Sequence, residues 1–474
     1  MKNDASASHQ TTTDWRKFRQ QYQTTLDSMA RLGSLIAIIL ALQAGTELSA
    51  DTVRLLPDES DAFQCRLDLI DSAVTSIDVA YYSIDDDEYS CRFLERLRSA
   101  ARRGVRVRLI VDGLFNGIPR GLQRHLSHEG IQVREYHQYW HTRPDSICYR
   151  MHDKLLLVDG SSVILGGRNI SDDYFGDSGR KHYIDMDVLV TGTAVCHAAC
   201  YYDALWASKH VRSVGRYNFG PAMIASDPAG TIQSFATNPA HLFSDSGAKS
   251  LNRCDPTCGC GEVPRCVHQY ETVEVSSESL CFLHAGRVMP CREGEISEYI
   301  ARAISSARFR VIIETPYFVL WDRIERALEA ARGRGVRVVI LTNSIDSTDN
   351  LIVNAELTNQ KHRLDKLGIE LFEYHGRGIL HAKTMIVDDS AMVGSFNLNP
   401  RSEYYDSETA IMIRDPVVAE QVLDSVERRH RLSISAVPHD SLMDFLIPPE
   451  RAAPQKYVSI QLLRWITPWI RKQL

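Results

Sequence analysis

One stretch of this 474-residue chain occurs twice, and nothing else in the sequence restricts the fold as strongly. Met151 to Asn169 reads MHDKLLLVDGSSVILGGRN, and Leu380 to Asn397 reads LHAKTMIVDDSAMVGSFN. Each copy carries His-x-Lys, four residues and then Asp. These are His152, Lys154 and Asp159 in the first copy and His381, Lys383 and Asp388 in the second. A small pair and an Asn follow: Gly166, Gly167 and Asn169 against Gly394, Ser395 and Asn397. The apolar runs Leu155 to Val158 and Thr384 to Val387 predict buried strands. Alternate residues of a strand share a face, so His152 and Lys154 project together, as do His381 and Lys383.

The repetition extends well beyond the motif. AARRGVRVRLIVD (Ala100 to Asp112) corresponds to AARGRGVRVVILTN (Ala330 to Asn343), and SIDVAYY (Ser76 to Tyr82) to RVIIETPYF (Arg310 to Phe318). Gly104 and Gly335 are 231 residues apart and His152 and His381 are 229 apart, so a whole unit is duplicated. Periodicity predicts helices over 61–74, 88–103 and 121–128 and strands over 75–82, 105–112 and 131–136. Such alternation means α/β layers around a central sheet. The expected fold is two duplicated α/β halves packed about a pseudo-two-fold axis, which brings both His-Lys pairs into one shared active site. The expected partition is a tail and apolar helix over 1–51, a first half over 52–215 and an irregular connection over 216–292. A second half over 293–433 and a C-terminal tail over 434–474 complete it.

Composition narrows the partners. A net charge of −6 offers no global attraction to a phosphate backbone, so no nucleic acid is expected. Eleven Cys, most scattered singly like Cys65, Cys91 and Cys148, suit a reducing, cytoplasm-facing location. Cys254, Cys258, Cys260 and Cys266, with His268 nearby, are spaced like no known zinc ribbon or finger; a metal or disulfide staple and free thiols both stay open. Leu32 to Ala44 is apolar but, at 13 residues, short for a bilayer span; it is read as a buried helix, an anchor or an uncleaved signal. At the other end KYVSIQLLRWITPWIRKQL mixes Trp with Lys and Arg, and reads either as an interfacial helix on a membrane surface or as a helix docked on the core.

Two His and two Lys converging on one point suit a phosphate. The ammonium groups offset its charge, and Asn169, Asn397 and Ser395 add neutral donors at the rim. One imidazole can attack phosphorus while the other serves as acid and then base. Each needs a carboxylate on its far nitrogen, and one candidate lies downstream of each copy: Asp185 and Glu408, with Asp187 and Asp406 as nearest rivals. Asp159 and Asp388 close the motif strands and are expected to brace the turn and the Lys. This chemistry needs no metal and no cofactor.

These residues resemble the phospholipase D superfamily, whose signature is two His-x-Lys-x4-Asp motifs trailed by Gly-Ser-x-Asn. GGRNISDDYFG (Gly166 to Gly176), LTNSIDSTDN (Leu341 to Asn350) and GSFNLNPRSEYYDSE (Gly394 to Glu408) narrow the resemblance to its bacterial cardiolipin synthase branch, of the C type. That resemblance implies transfer of a phosphatidyl group between lipid alcohols through a phospho-histidine, with His152 as nucleophile and His381 as acid/base. It implies phosphatidylglycerol and a second phospholipid, phosphatidylglycerol or phosphatidylethanolamine, as substrates, at the cytoplasmic face of a bacterial inner membrane. The alternative is a phosphodiesterase of the same architecture with water as acceptor, acting on phospholipid or, less in keeping with the charge, nucleic acid. Two departures stand out. Gly167 replaces the usual Ser, and the second copy has one residue fewer between Asp388 and Gly394, which predicts unequal rims.

Overall fold

The computed structural model describes residues 50–137, 148–176, 181–214, 270–286, 295–436 and 454–474. The apolar run 32–44 and the Cys254–Cys266 cluster lie outside the described residues.

The first half runs β1 (Ala50–Leu56), α1 (Glu59–Ser72), β2 (Ser76–Tyr81), α2 (Glu88–Arg102), β3 (Arg106–Asp112), α3 (Arg120–His128) and β4 (Gln132–Tyr136). It continues with β5 (Lys154–Val158), β6 (Ser162–Gly166), α4 (Asp172–Phe175), β7 (Tyr183–Ile184), β8 (Asp187–Thr191), α5 (Val195–Ala207) and β9 (Val211–Ser213). The short strand β10 (Val273–Ser276) returns to pair with β1.

The second half runs β11 (Leu280–Ala285), α6 (Ile296–Ser306), β12 (Arg310–Glu314), α7 (Asp322–Gly333), β13 (Arg337–Asn343), α8 (Leu351–Lys366) and β14 (Glu370–Tyr374). Then come β15 (Ile379–Leu380), β16 (Thr384–Val387), β17 (Ser390–Gly394), α9 (Pro400–Tyr404), β18 (Glu408–Ile413), α10 (Pro416–His430) and β19 (Ser433–Ser435). Two short helices, α11 (Pro454–Leu463) and α12 (Thr467–Ile470), and a 3-10 turn over Arg471–Gln473 follow.

Sheet one is ordered β10-β1-β8-β6-β5-β2-β3-β4-β9 and sheet two β11-β18-β17-β16-β12-β13-β14-β19. Apart from the extra edge strand β10, the two orders match position by position. In both, the β2-β3-β4 and β12-β13-β14 ladders are parallel, while the motif strands pair antiparallel. The matching places β11 opposite β1. The last part of the stretch read from sequence as an irregular connection is therefore two strands, one finishing each sheet. Its alternation was too brief to stand out among the polar residues around it.

Helices α1 to α4 pack on one face of sheet one and α6 to α8 on one face of sheet two, giving two apolar cores. On the other face β5, β6 and β8 meet β17 and β18. Strands covered on both sides read as unbroken apolar runs, which is why LLLV and TMIV show no alternation. Gly166 lets the sheet close here, since a Cβ would lie 2.6 Å from the Asp187 backbone.

The C-terminal segment docks. Lys456 Nζ donates to the carbonyls of Asp346 and Thr348, Arg464 pairs with Asn359, and Arg471 with Glu356 on α8. Among the described residues no helix is long and apolar enough to cross a membrane.

Candidate active site

Each histidine sits on an extended segment just ahead of its motif strand, and that segment is tied to the opposite half. The His152 N–H donates to the Ser407 carbonyl, and Met151 bridges Ser407. In the mirror arrangement β15 pairs with β7, and the His381 N–H donates to the Ile184 carbonyl at 2.7 Å. Ser407 and Ile184 immediately precede Glu408 and Asp185. The backbone pairing therefore delivers each carboxylate to the other half's imidazole. His152 Nδ1 lies 2.9 Å from Glu408 Oε2, and His381 Nδ1 lies 2.6 Å from Asp185 Oδ2. Both carboxylates named from sequence are at the site, and the partnership crosses between halves. The rivals are occupied elsewhere: Asp187 accepts from the buried Arg66 and Arg168, and Asp406 pairs with Arg401.

With Nδ1–H donated to a carboxylate, each ring keeps Nε2 for chemistry. Lys383 Nζ is 2.8 Å from His381 Nδ1 and 3.1 Å from its Nε2, and Lys154 Nζ donates to the His152 carbonyl at 2.6 Å. Burial pushes Lys154 down to about 7 and Lys383 to about 8, with Glu408 and Asp185 respectively resisting. Burial, then the field of Lys154, Lys383 and His381, holds His152 well below the usual imidazole range. Burial and Lys383 bring His381 to about 4 against the pull of Asp185. These mutual effects put both pairs in one electrostatic neighbourhood.

The two orienting acids differ. Burial would raise Asp185, but Lys383 and His381 outweigh it and keep the carboxyl below its ordinary value. Glu408 goes the other way: burial, with Asp406 adding to it, lifts it well above the usual carboxylate range although Lys154 opposes. Ser395 Oγ donates to Glu408 at 2.5 Å and Ser402 Oγ at 2.7 Å. Gly167 stands where Ser395 stands in the second half, and a Cβ there would lie 2.2 Å from Asp185 Oδ1.

Other sequence expectations change. Ser395 spends its hydroxyl on Glu408 rather than at the rim. Asn169 is also engaged: its Oδ1 accepts from the Ser83 N–H and its Nδ2 donates to Tyr174 OH, which lies 3.5 Å from His381. Asn397 keeps a buried Oδ1 with no hydrogen-bond partner. Asp159 and Asp388 are at the far ends of β5 and β16, away from the lysines. Asp159 accepts from the N–H groups of Val74, Thr75 and Ser76, and Asp388 from those of Arg308, Phe309 and Arg310. They brace a turn at φ 51° and 50° and do not touch Lys154 or Lys383. The one-residue difference between the copies also falls in this turn, because β5 and β6 are joined by three residues and β16 and β17 by two. It leaves the rims alone.

Sequence reasoning missed a supporting layer. Asn343 exchanges two hydrogen bonds with the Leu380 backbone, and Asp112 accepts from the Met151 N–H, so equivalent residues hold the chain just before each histidine. They end the two aligned segments LIVD and ILTN, where the signal was visible. Tyr201 and Ser407 both donate to Asp153, burying it between the halves. Among the described residues no group of three or more His, Cys, Asp or Glu is arranged to hold a metal ion.

Residues 67–206 and 300–430 match the family described as cardiolipin synthase, PLD-like domain. The chain is 28% identical to cardiolipin synthase C of Escherichia coli K12, across 76% of this chain and 81% of that one. It is 26% identical to cardiolipin synthase A of Pseudomonas entomophila, across 79% and 67%. The crystal structure of phosphatidylserine synthase from Haemophilus influenzae Rd KW20 covers 90% of this chain and 98% of its own at TM-score 0.63 and 16% identity, a likeness of fold. With both halves matched in sequence and both motifs assembled, the chain belongs to the phospholipase D-like cardiolipin synthase family, a family of phosphatidyltransferases.

Proposed function

We propose that the chain makes cardiolipin, joining the phosphatidyl group of one phospholipid to a phosphatidylglycerol hydroxyl. The observation that carries this reading is the crossed arrangement of two carboxylate-held imidazoles beside two buried lysines. His152 Nε2 attacks phosphorus and the bond to the leaving alcohol breaks. His381, protonated, gives that alcohol its proton. The phosphatidyl group then resides on His152. In the second step His381 takes the proton of the incoming phosphatidylglycerol hydroxyl, whose oxygen displaces His152 from phosphorus. Lys154 and Lys383 offset charge on the five-coordinate phosphorus, and Asn397 donates to a phosphate oxygen.

The unequal acids support this division of labour. His381 faces a carboxylate kept ionised, which favours its imidazolium form once an anionic phosphodiester enters. His152 faces an acid lifted by burial, and stays neutral as a nucleophile must. The donor is phosphatidylglycerol or phosphatidylethanolamine, releasing glycerol or ethanolamine, and the reaction takes place at the cytoplasmic face of a bacterial inner membrane.

Mass spectrometry of lipids after incubation with phosphatidylglycerol, with and without phosphatidylethanolamine, tests the reading. Cardiolipin is the expected product. Phosphatidic acid alone would make water the acceptor, and unchanged lipid would remove the activity.

A further inference from the structure

The C-terminal segment has two apolar faces, and the protein covers one of them. Tyr457, Ile460, Thr467 and Leu474 are buried against the body of the protein. Val458 and Leu462 on α11, Trp465 and Ile466 in the turn that follows it and Trp469 on α12 are all exposed. Trp465 is 75% exposed and Trp469 88%. An interior or subunit surface hides its tryptophans, and a soluble surface seldom exposes five large apolar side chains within one short segment. The polar attachments described above fix the segment's inner face, so the exposed apolar side chains are held outward on a mount.

Charge selects the occupant. Residues 454–474 contain Lys456, Arg464, Arg471 and Lys472 and no Asp or Glu, in a chain whose net charge is −6. Lys456, Arg464 and Arg471 are spent on the inward attachments, which leaves the exposed Lys472 beside the two Trp; Trp next to a free-standing cation, in a segment without an acid, matches the headgroup layer of an anionic bilayer. Position supports the same occupant. Leu474 and Ile470 pack with Tyr317 and Val353, and the Tyr317 ring stands edge-on to His381 with centroids 6.1 Å apart. The covered side of the segment is thus one side chain removed from the site that must receive a lipid phosphate.

We infer that the segment from Pro454 to Leu474 is an interfacial mount that seats Trp465 and Trp469 in an anionic phospholipid surface, with the His381 side of the site turned toward that surface. Docked helix and membrane helix, rivals in the sequence, are here the two faces of one element. The inference rests on the proposed phospholipid reaction for its orientation, and its test does not need turnover.

The full-length chain is mixed with vesicles of phosphatidylglycerol and phosphatidylcholine carrying brominated acyl chains, and tryptophan emission is read. Quenching is expected in the wild type and is expected to drop at least fivefold in Trp465→Phe/Trp469→Phe, which leaves four other tryptophans. Flotation of a Trp465→Ser/Trp469→Ser variant with unbrominated vesicles of the same lipids should fall about tenfold, while its turnover of monomeric short-chain phosphatidylglycerol is unchanged. Equal quenching in wild type and the Phe variant would overturn the inference, as would flotation of the Ser variant at the wild-type level. So would a stable dimer that hides both rings. Quenching as expected with no cardiolipin formed would instead reject the proposed reaction and leave the mount standing.

Discussion

Gly167 is the residue at which the two otherwise similar halves part. In the second half Ser395 supports a long acid, Glu408; in the first, the absence of a side chain leaves room for a short one, Asp185, to press against the backbone. Read from sequence, the missing Ser is a lost donor at the rim. In the fold it belongs to a matched set, Gly with Asp and Ser with Glu, which makes the two imidazoles unequal. Gly167→Ser is therefore expected to displace Asp185 and lower kcat about 10–100-fold, the usual cost of disturbing a group that orients a reactive one. Asp185→Asn should lower kcat by at least as much and move the high-pH fall of the rate to lower pH. The sign follows from charge: an ionised Asp185 favours the imidazolium of His381, so without it the proton leaves sooner as pH rises. Rate profiles on phosphatidylglycerol read both effects, and an unmoved profile for Asp185→Asn would detach Asp185 from the acid role.

At the level of elements, the motif hairpins do two jobs at opposite ends. One end carries His and Lys. The other holds an Asp in left-handed backbone whose carboxylate collects three N–H groups from the start of the neighbouring strand. Asp159→Ala or Asp388→Ala should each cost about 1–3 kcal/mol by urea unfolding, the scale of hydrogen bonds to a charged group, with kcat of the folded protein unchanged. A large loss of kcat without a loss of stability would return these residues to the chemistry. Those N–H donors outweigh burial and hold Asp159 near 2, so its contribution is full above the ordinary carboxylate range and is lost as pH falls through 2.

The motif strands, the opening helices and strands of the first half and the duplication were legible in the sequence, because apolar runs and a repeated spacing are local signals; β10 and β11 were not. The role of the motif Asp was not: Asp159 and Lys154 are five apart in sequence, but an extended strand separates them by about 3.3 Å per residue. Nor was the occupation of Asn169 and Ser395, since their partners Tyr174 and Glu408 are decided by packing. Tyr174 sits inside the GGRNISDDYFG stretch, visible as a motif but silent about what it touches.

On the scale of the whole molecule, the halves are joined by exchange rather than by mere contact. Residues that share one task lose activity together, so Asp185→Ala added to His381→Ala should deepen the loss little beyond the single change. Either histidine replaced by Ala is expected to cut turnover about 10³-fold or more with the melting transition retained. Full additivity of the Asp185 and His381 effects would show that the pair does not act as a unit. The exchange also sets a schedule for biosynthesis. His152 and Glu408 are separated by 256 residues, so at about 5–20 residues/s a ribosome needs about 13–50 s to supply the first histidine with its acid. Throughout that interval the nascent first half carries an imidazole without its carboxylate partner, and under the proposed mechanism turnover waits until the strand bearing Glu408 has emerged and folded.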